Sequence, residues 1–519
     1  MAVASPRDSR GRPVVLRVLP SVPARRHRQH DDVGPRSLLD AVIVELSLFA
    51  PELIALLGGL VLFAAPILGA GSATTWRLAV LAGSATFAGA VWSLPLSGDA
   101  FSPGIYYVDA FSQGVKVVVS LGYLLVVLGA REPVTLKAHA WSELPLFVLL
   151  ASVGMMMMVS ATELLTLYIA MELAAYPVYI AIALHRNPAI GGESSTKYMV
   201  QGMMASAVSL YGMSFLYGLA GSTYFEAITS QMGALSSTPL FWFGIILLLA
   251  GFLFKLAALP FHFWAPDTYE ASPHEVITFV ASVSKVAAIA VLCRIMSLVM
   301  PAGMDACSVQ NVLMWFAVGA MTLGNLAALR QSDLKRLLGY SAVAHAGYAL
   351  IGVQAMSANG LTSALFYAVG YAAMSLICFL VVATVGRDQD RVSVEAMSGL
   401  WQRSPSMALV FLVGLLGLIG LPPTVGFIGK WFLFSAAIEQ GQFVLVLVAA
   451  INATIALYYY LLVLRQIYLV DAPTDAAPLR WTPALALSAG VGSIVVVAMG
   501  VVPSPIWDQA AAAVATLFH

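Results

Sequence analysis

Apolar stretches of about twenty residues recur between residues 40 and 503, each long enough to cross a hydrocarbon layer ~30 Å thick. They place spans 1 to 14 at 43–66, 77–95, 107–130, 143–160, 163–184, 197–220, 239–263, 275–299, 308–329, 336–356, 361–385, 406–437, 442–469 and 481–503. Strands of a membrane barrel would alternate apolar and polar residues over segments of ~10 residues; these runs do not alternate. Charged residues make up 10% of the chain, against roughly 25% in soluble domains, too few to coat a water-exposed particle of 519 residues. The expected fold is an all-α polytopic membrane protein with about fourteen transmembrane helices.

Several chemistries are excluded early. Cys293, Cys307 and Cys378 are widely spaced with no CxxC, which argues against iron–sulfur, structural zinc and disulfide frameworks. No GxGxxG fingerprint occurs, and GFIGK at 426–430 lacks the P-loop spacing. The body has no basic face for nucleic acid. No redox centre, cofactor-binding site or metal site is expected on this chain.

Loop charge predicts the topology. Arg77 follows span 1, Arg131 and Lys137 follow span 3, and Arg186 follows span 5. Arg330, Lys335 and Arg336 come after span 9, Arg387, Arg391 and Arg403 after span 11, and Arg480 after span 13. Loops after even-numbered spans carry neither Lys nor Arg, so the odd-numbered loops are expected in the cytoplasm and both termini outside. An N-terminal tail, residues 1–39, holds eight Arg and would sit on the outer side against that rule. It lacks a proper signal-peptide core, and it is expected to be disordered in, or absent from, the mature protein.

A charge at the centre of a spanning helix costs ~2.5–3.5 kcal/mol on insertion scales, so each needs a reason. Glu172 in span 5, Lys255 in span 7, Lys285 in span 8 and Lys430 in span 12 stand out, with Lys197 at the mouth of span 6. Lysines near a helix end can snorkel to the interface. Lys285 and Lys430, ~15 Å from either end of their helices, are too deep for that. Burial disfavours an ammonium, so a buried lysine releases a proton readily, and a neighbouring carboxylate restores its hold. A Lys–Glu pair beside further lysines can therefore act as a switch and a relay. His345, mid-helix in span 10, adds an imidazole able to exchange protons near neutral pH. Tyr340, Ser341, Tyr348, Tyr367 and Tyr371 could hold water chains nearby, and His262 and His274 are candidate entry-side groups.

Pro260 lies five residues after Lys255, and Pro422-Pro423 lie just before Lys430. Proline removes a backbone donor and clashes with the preceding turn, so spans 7 and 12 are expected to be broken inside the membrane. Spans 4–8 (143–299) and 9–13 (308–469) form two runs of five, and an odd number of crossings turns the second run over. In each run the fourth helix carries proline and a buried lysine. Two inverted five-helix repeats with broken helices 7 and 12 are thus expected, the sign of a midplane ion pathway. Residues 40–142 (spans 1–3) and 481–519 (span 14 and the C-terminus) flank them.

At these residues the chain resembles the antiporter-like membrane subunits of NADH–quinone oxidoreductase (respiratory complex I), relatives of multisubunit Na⁺/H⁺ antiporter subunits. The matching stretches are FKLAALPFHFWAPDTYEASP (254–273), SVSKVAAI (282–289), LRQSDLKRLLGYSAVAHAGY (329–348) and GLPPTVGFIGKWFLF (420–434). Within the family it is most similar to the subunit N chains, through KYMVQGMMASAVSLYGMSFLYG (197–218) and through a lysine rather than a glutamate at 430. The resemblance implies a membrane-arm subunit that pumps protons outward, driven by NADH-to-quinone electron transfer in other subunits, where flavin, iron–sulfur clusters and quinone reside. It also implies proton-carrying roles for Glu172, Lys197, Lys255, Lys285, His345 and Lys430, sister antiporter-like subunits as partners, and a bacterial cell membrane. Two other readings stay open: a subunit of a multisubunit Na⁺/H⁺ antiporter, and a structural spacer without a proton path.

Overall fold

The computed structural model describes residues 44–101, 104–131, 135–301, 307–387, 389–474 and 479–518. The expected Arg-rich tail, 1–39, lies outside them. From Glu45 onward the chain forms one compact unit. Helices occupy each expected position: Ala50–Ile67, Ser72–Trp92, Ala110–Gly129, Leu144–Ser160, Leu164–Ala183, Pro188–Ala220, Pro239–Leu256 with Trp264–Ala271, and His274–Val299. Cys307–Ala328, Leu334–Gln354, Ala358–Val385, Pro405–Ile419 with Val425–Glu439, Phe443–Leu469 and Pro483–Val501 complete them.

Local chemistry sets where these helices start. Asp109 and Ser112 form a reciprocal capping box at span 3, and Asn187, Asp333, Ser357 and Thr482 cap spans 6, 10, 11 and 14. Among the described residues, eleven helices are both long and apolar enough to cross a membrane. Spans 2, 10 and 12 fall short. Span 2 is rich in small and hydroxyl residues, span 10 carries Lys335, Arg336 and His345, and span 12 is split into two fifteen-residue pieces.

Hydrogen bonds stitch the loops together by parity. On one side Leu136 bridges His185, Arg186 pairs with Asp390 at 2.8 Å, and Thr135 donates to Glu275 at 2.9 Å. Lys335 donates to the Ser272 carbonyl at 3.2 Å, and Gln402 donates to Asp471 at 2.9 Å. These contacts join the loops after spans 3, 5, 7, 9, 11 and 13, all of which except the loop after span 7 hold basic residues. On the other side Tyr106 bridges Ala161, Glu163 bridges Tyr224, and Asn359 donates to Glu439 at 3.1 Å. A short hairpin there, β1 (Gly98–Ala100) with β2 (Tyr106–Val108), connects spans 2 and 3.

Among the described residues, the helices of spans 5, 7 and 12 are interrupted. Span 7 stops at Leu256, Ala257 turns left-handed (φ +60°), and helix resumes at Trp264. Span 12 stops at Ile419 and resumes at Val425. The expected breaks at Pro260 and Pro422-Pro423 are both present. Span 5 has a third, unexpected one: helix ends at Leu173, just past Glu172, and restarts at Tyr176 with Pro177 in its first turn. Pro177 has no N–H to continue the ladder. Span 8, His274–Val299, is buried throughout and packs against spans 3 and 11.

The halves of span 12 touch backbone to backbone, since a Cβ added at Gly426 would run into the Gly417 carbonyl. Gly426→Ala is expected to destabilise the chain by about 1–3 kcal/mol through overpacking, read as a lower thermal midpoint of the solubilised protein. His185, fully buried at the loop side, is held below the ordinary histidine range by burial, with Lys335 and Arg186 acting the same way against Asp390. The fold thus favours neutral imidazole. Its contribution is present above about pH 6.5 and is lost as pH falls toward the lowered value. His185→Gln is expected to flatten that acid sensitivity in thermal melts between about pH 5.5 and 7.5, roughly one pH unit either side of the free imidazole value.

Candidate functional site

Lysine placement begins with the breaks. A helix that stops leaves its last carbonyls without partners. The Lys430 ammonium, on the second half of span 12, donates to the freed carbonyls of Leu418 (3.2 Å) and Ile419 (2.9 Å) at the end of the first half. Those carbonyls are the negative end of a helix dipole, so break and lysine complement each other. Lys255 sits in the last turn before the break in span 7, 6% exposed. Glu172 acts on it through space rather than through a close ion pair. A break follows Glu172 as well, so both members of this pair stand beside an interruption.

Lys285, mid-way along span 8, donates to the Ala342 carbonyl of span 10 at 3.1 Å, and its ammonium lies 5.4 Å from the Tyr371 ring centre. His345 is the centre of a shell of tyrosines. Its Nδ1 hydrogen-bonds the Tyr367 hydroxyl at 2.6 Å, and its ring lies 5.0 Å from Tyr371 and 5.9 Å from Tyr348. Tyr460 reaches Nε2 at 3.5 Å and also hydrogen-bonds Ser341. Lys430 lies 4.7 Å from the Tyr348 ring centre. Lys285, Tyr371, His345, Tyr348 and Lys430 therefore form one buried row across spans 8, 10, 11 and 12. Ring faces stabilise an ammonium within about 6 Å without adding a charge, so each lysine has neighbours that tolerate both protonation states.

The other candidates are placed as follows. Lys197 is brought to the surface network of the loop side, not to Glu172: it pairs with Glu193 at 2.7 Å and Asp267 at 3.4 Å, its side chain 43% exposed. Asp267 also pairs with Arg336, and Arg336 with Glu270. Tyr340 is half-buried beside Arg336, away from the row. His262 lies in the break of span 7 against Phe263, at the same end of span 7 as that network. His274 opens span 8, with Nε2 3.0 Å from the Gly386 carbonyl, and lines a cleft with Glu275, Thr278, Arg131 and Arg480.

Sequence reasoning missed other buried charges. Glu52 of span 1 and Lys116 of span 3 form a fully buried ion pair at 2.9 Å, and Arg294 of span 8 binds both oxygens of Asp109 at 2.8 and 3.0 Å. Their signal was the one used for the lysines, a charge within an apolar span. Asp109 and Arg294 lie near the ends of their expected spans and read as interfacial, whereas Glu52 and Lys116 lie nine residues in, as deep as Glu172. Among the described residues no cluster of metal-ligating side chains occurs.

Residues 161–456 match the family model described as NADH:quinone oxidoreductase/Mrp antiporter, TM. The chain is 39% identical over 473 residues to NADH-quinone oxidoreductase subunit N 2 of Opitutus terrae, covering 90% of this chain and 98% of that one. It is 40% identical to the protein of the same name from Syntrophobacter fumaroxidans, covering 88% and 96%. Among solved structures, a chain of respiratory complex I from Thermus thermophilus superposes with TM-score 0.76 at 31% identity, covering 89% and 99%. A chain of the Mrp complex from Dietzia shares the fold, with TM-score 0.81 at 21% identity, covering 92% and 98%. The chain belongs to the NADH:quinone oxidoreductase/Mrp antiporter family of membrane subunits, in its subunit N branch.

Proposed function

We propose that this chain is a proton-translocating membrane-arm subunit of a bacterial NADH–quinone oxidoreductase, moving protons outward when quinone is reduced in neighbouring subunits. The observation that carries this reading is the buried row Lys285–Tyr371–His345–Tyr348–Lys430, in which two ammonium groups and an imidazole share one aromatic enclosure. A spacer could fill the same volume with apolar side chains at lower cost.

The side rich in Lys and Arg is read as cytoplasmic and both termini as outer, by the positive-inside rule. Protons enter at the cleft beside His274 and at His262, pass from Lys255 to Lys285 and His345, and leave past Lys430. Glu172 sets the proton affinity of Lys255: when its carboxylate is close the ammonium is held, and when it withdraws the proton moves on. Spans 4–8 and 9–13 act as two inverted repeats, each with its broken fourth helix beside a lysine. Flavin, iron–sulfur clusters and the quinone site belong to other subunits, and sister antiporter-like subunits are its neighbours in the cell membrane. Lys197 tunes the entry network from the surface.

Two measurements test this. Tagged protein purified in mild detergent is expected to bring with it a flavin-containing NADH dehydrogenase module; recovery without one, together with Na⁺-dependent proton exchange in vesicles, would favour the antiporter reading. Lys255→Ala, Lys285→Ala and Lys430→Ala are each expected to lower proton pumping and coupled NADH–quinone activity at least several-fold. Normal pumping by a well-assembled Lys285→Ala enzyme would refute the relay.

A further inference from the structure

We infer that Glu52 and Lys116 form a second proton-exchanging pair in this chain, set beneath the face opposite the Lys/Arg-rich loops and contacted by Tyr106. The inference rests on the proton-carrying function above. Both side chains are fully buried, with Nζ and Oε1 2.9 Å apart. The Tyr106 hydroxyl donates to the same Oε1 at 2.7 Å, and its ring centre lies 5.1 Å from the ammonium. Lys116 lies six residues into span 3, ~9 Å below its start, and Glu52 is the third residue of span 1. Tyr106 comes from β2, whose buried residues Tyr106 and Val108 alternate with exposed Tyr107, so the hairpin lies over the pair.

Spans 3, 4 and 8 each place a further polar group near the pair. Asp109, at the start of span 3, and Arg294, from span 8, both act on Lys116 electrostatically, and Ser160 at the end of span 4 adjoins the Tyr106 hydroxyl. Arg294 follows Lys285 by nine residues, about two and a half turns, so the two lie on opposite faces of span 8. The pair is therefore a site distinct from the buried row, though tied to the same helix through Asp109.

A fastening role accounts poorly for this chemistry, because a buried ion pair stabilises little more than apolar side chains of similar size. Other polar atoms there are also unmet. Among the described residues, Glu52 Oε2 and both amide atoms of Gln113 are buried without a hydrogen-bond partner. Gln113 precedes Lys116 by three residues, on the same helix face. Buried polar atoms of this kind are met by internal water. Acid, base and water thus share one pocket. In the exchange step an Nζ–H bond breaks and an O–H bond forms on Glu52, leaving a neutral amine and a carboxylic acid. The carboxyl group then turns so that this O–H faces the water at the former Oε2 position; the O–H breaks to give hydronium and restores the carboxylate, and the amine regains its proton from a hydronium ion arriving at Gln113.

The test uses the whole complex in sealed vesicles, reading protons moved per NADH oxidised across pH. Lys116→Arg keeps a cation for Glu52, but a guanidinium does not release its proton. Tyr106→Phe removes one hydroxyl at constant shape. Both are expected to lower the ratio about two-fold, and Tyr106→Phe to shift the pH of half-maximal pumping. A wild-type ratio and pH profile in either assembled variant would overturn the inference; if Lys116→Arg fails to assemble, Tyr106→Phe decides. Lys285→Ala serves as the reference. If it abolishes pumping while Tyr106→Phe changes nothing, only the second pair is rejected. If it too leaves pumping intact, the relay itself falls.

Discussion

Every charge inside this chain has to find its partner in protein, because the hydrocarbon around it offers none. Much of the structure follows from how that demand is met. Proline at 422–423 stops span 12, the stop frees the carbonyls of Leu418 and Ile419, and these accept from Lys430. Lys285 finds the Ala342 carbonyl, Arg294 finds Asp109, and Lys116 finds Glu52. A defect in one helix thus becomes the binding site for a cation on the next, and the cation's position is fixed as firmly as the backbone beside it.

The tyrosines give the enclosure its second property. Rings at 367, 371 and 348 surround His345 and reach both Lys285 and Lys430, supplying hydroxyls and polarisable faces but no net charge. A carboxylate in their place would hold each ammonium permanently. With aromatic neighbours instead, the charge state of one lysine is felt by the next, because few fixed charges lie between to screen it. Interruptions in spans 5, 7 and 12 stand beside Glu172, Lys255 and Lys430. Backbone there is free of a continuous hydrogen-bond ladder, so small movements can change which partner each charge faces.

The loop alternation was legible because basic residues were confined to alternate loops, and the stitching of Thr135 to Glu275, Arg186 to Asp390 and Lys335 to Ser272 has the same parity. The mid-span lysines were legible because no snorkelling length could explain them. Arg294 lies within two turns of a span end and looks interfacial in the sequence, whereas Glu52 and Lys116 lie as deep in their expected spans as Glu172, and only the structure shows them paired beneath a hairpin. Pro177 was visible too, but an uninterrupted apolar run around it hid the break. Lys197 stands near the mouth of span 6 in the sequence; only the structure shows its partners, Glu193 and Asp267 of the surface network.

Sequence by itself determined that this chain lives in a membrane, where its helices run, that spans 7 and 12 break and which loops share a side. These properties depend on hydropathy, proline and charge counted along one dimension. Tertiary structure alone decided which buried charges meet. That Lys285, His345 and Lys430 share an enclosure of tyrosines from separate spans, while Lys116 turns to Glu52 on the opposite face of span 8, depends on helix rotation and packing between residues far apart in the chain. Such contacts are set by close packing of whole helix faces, which no local spacing encodes.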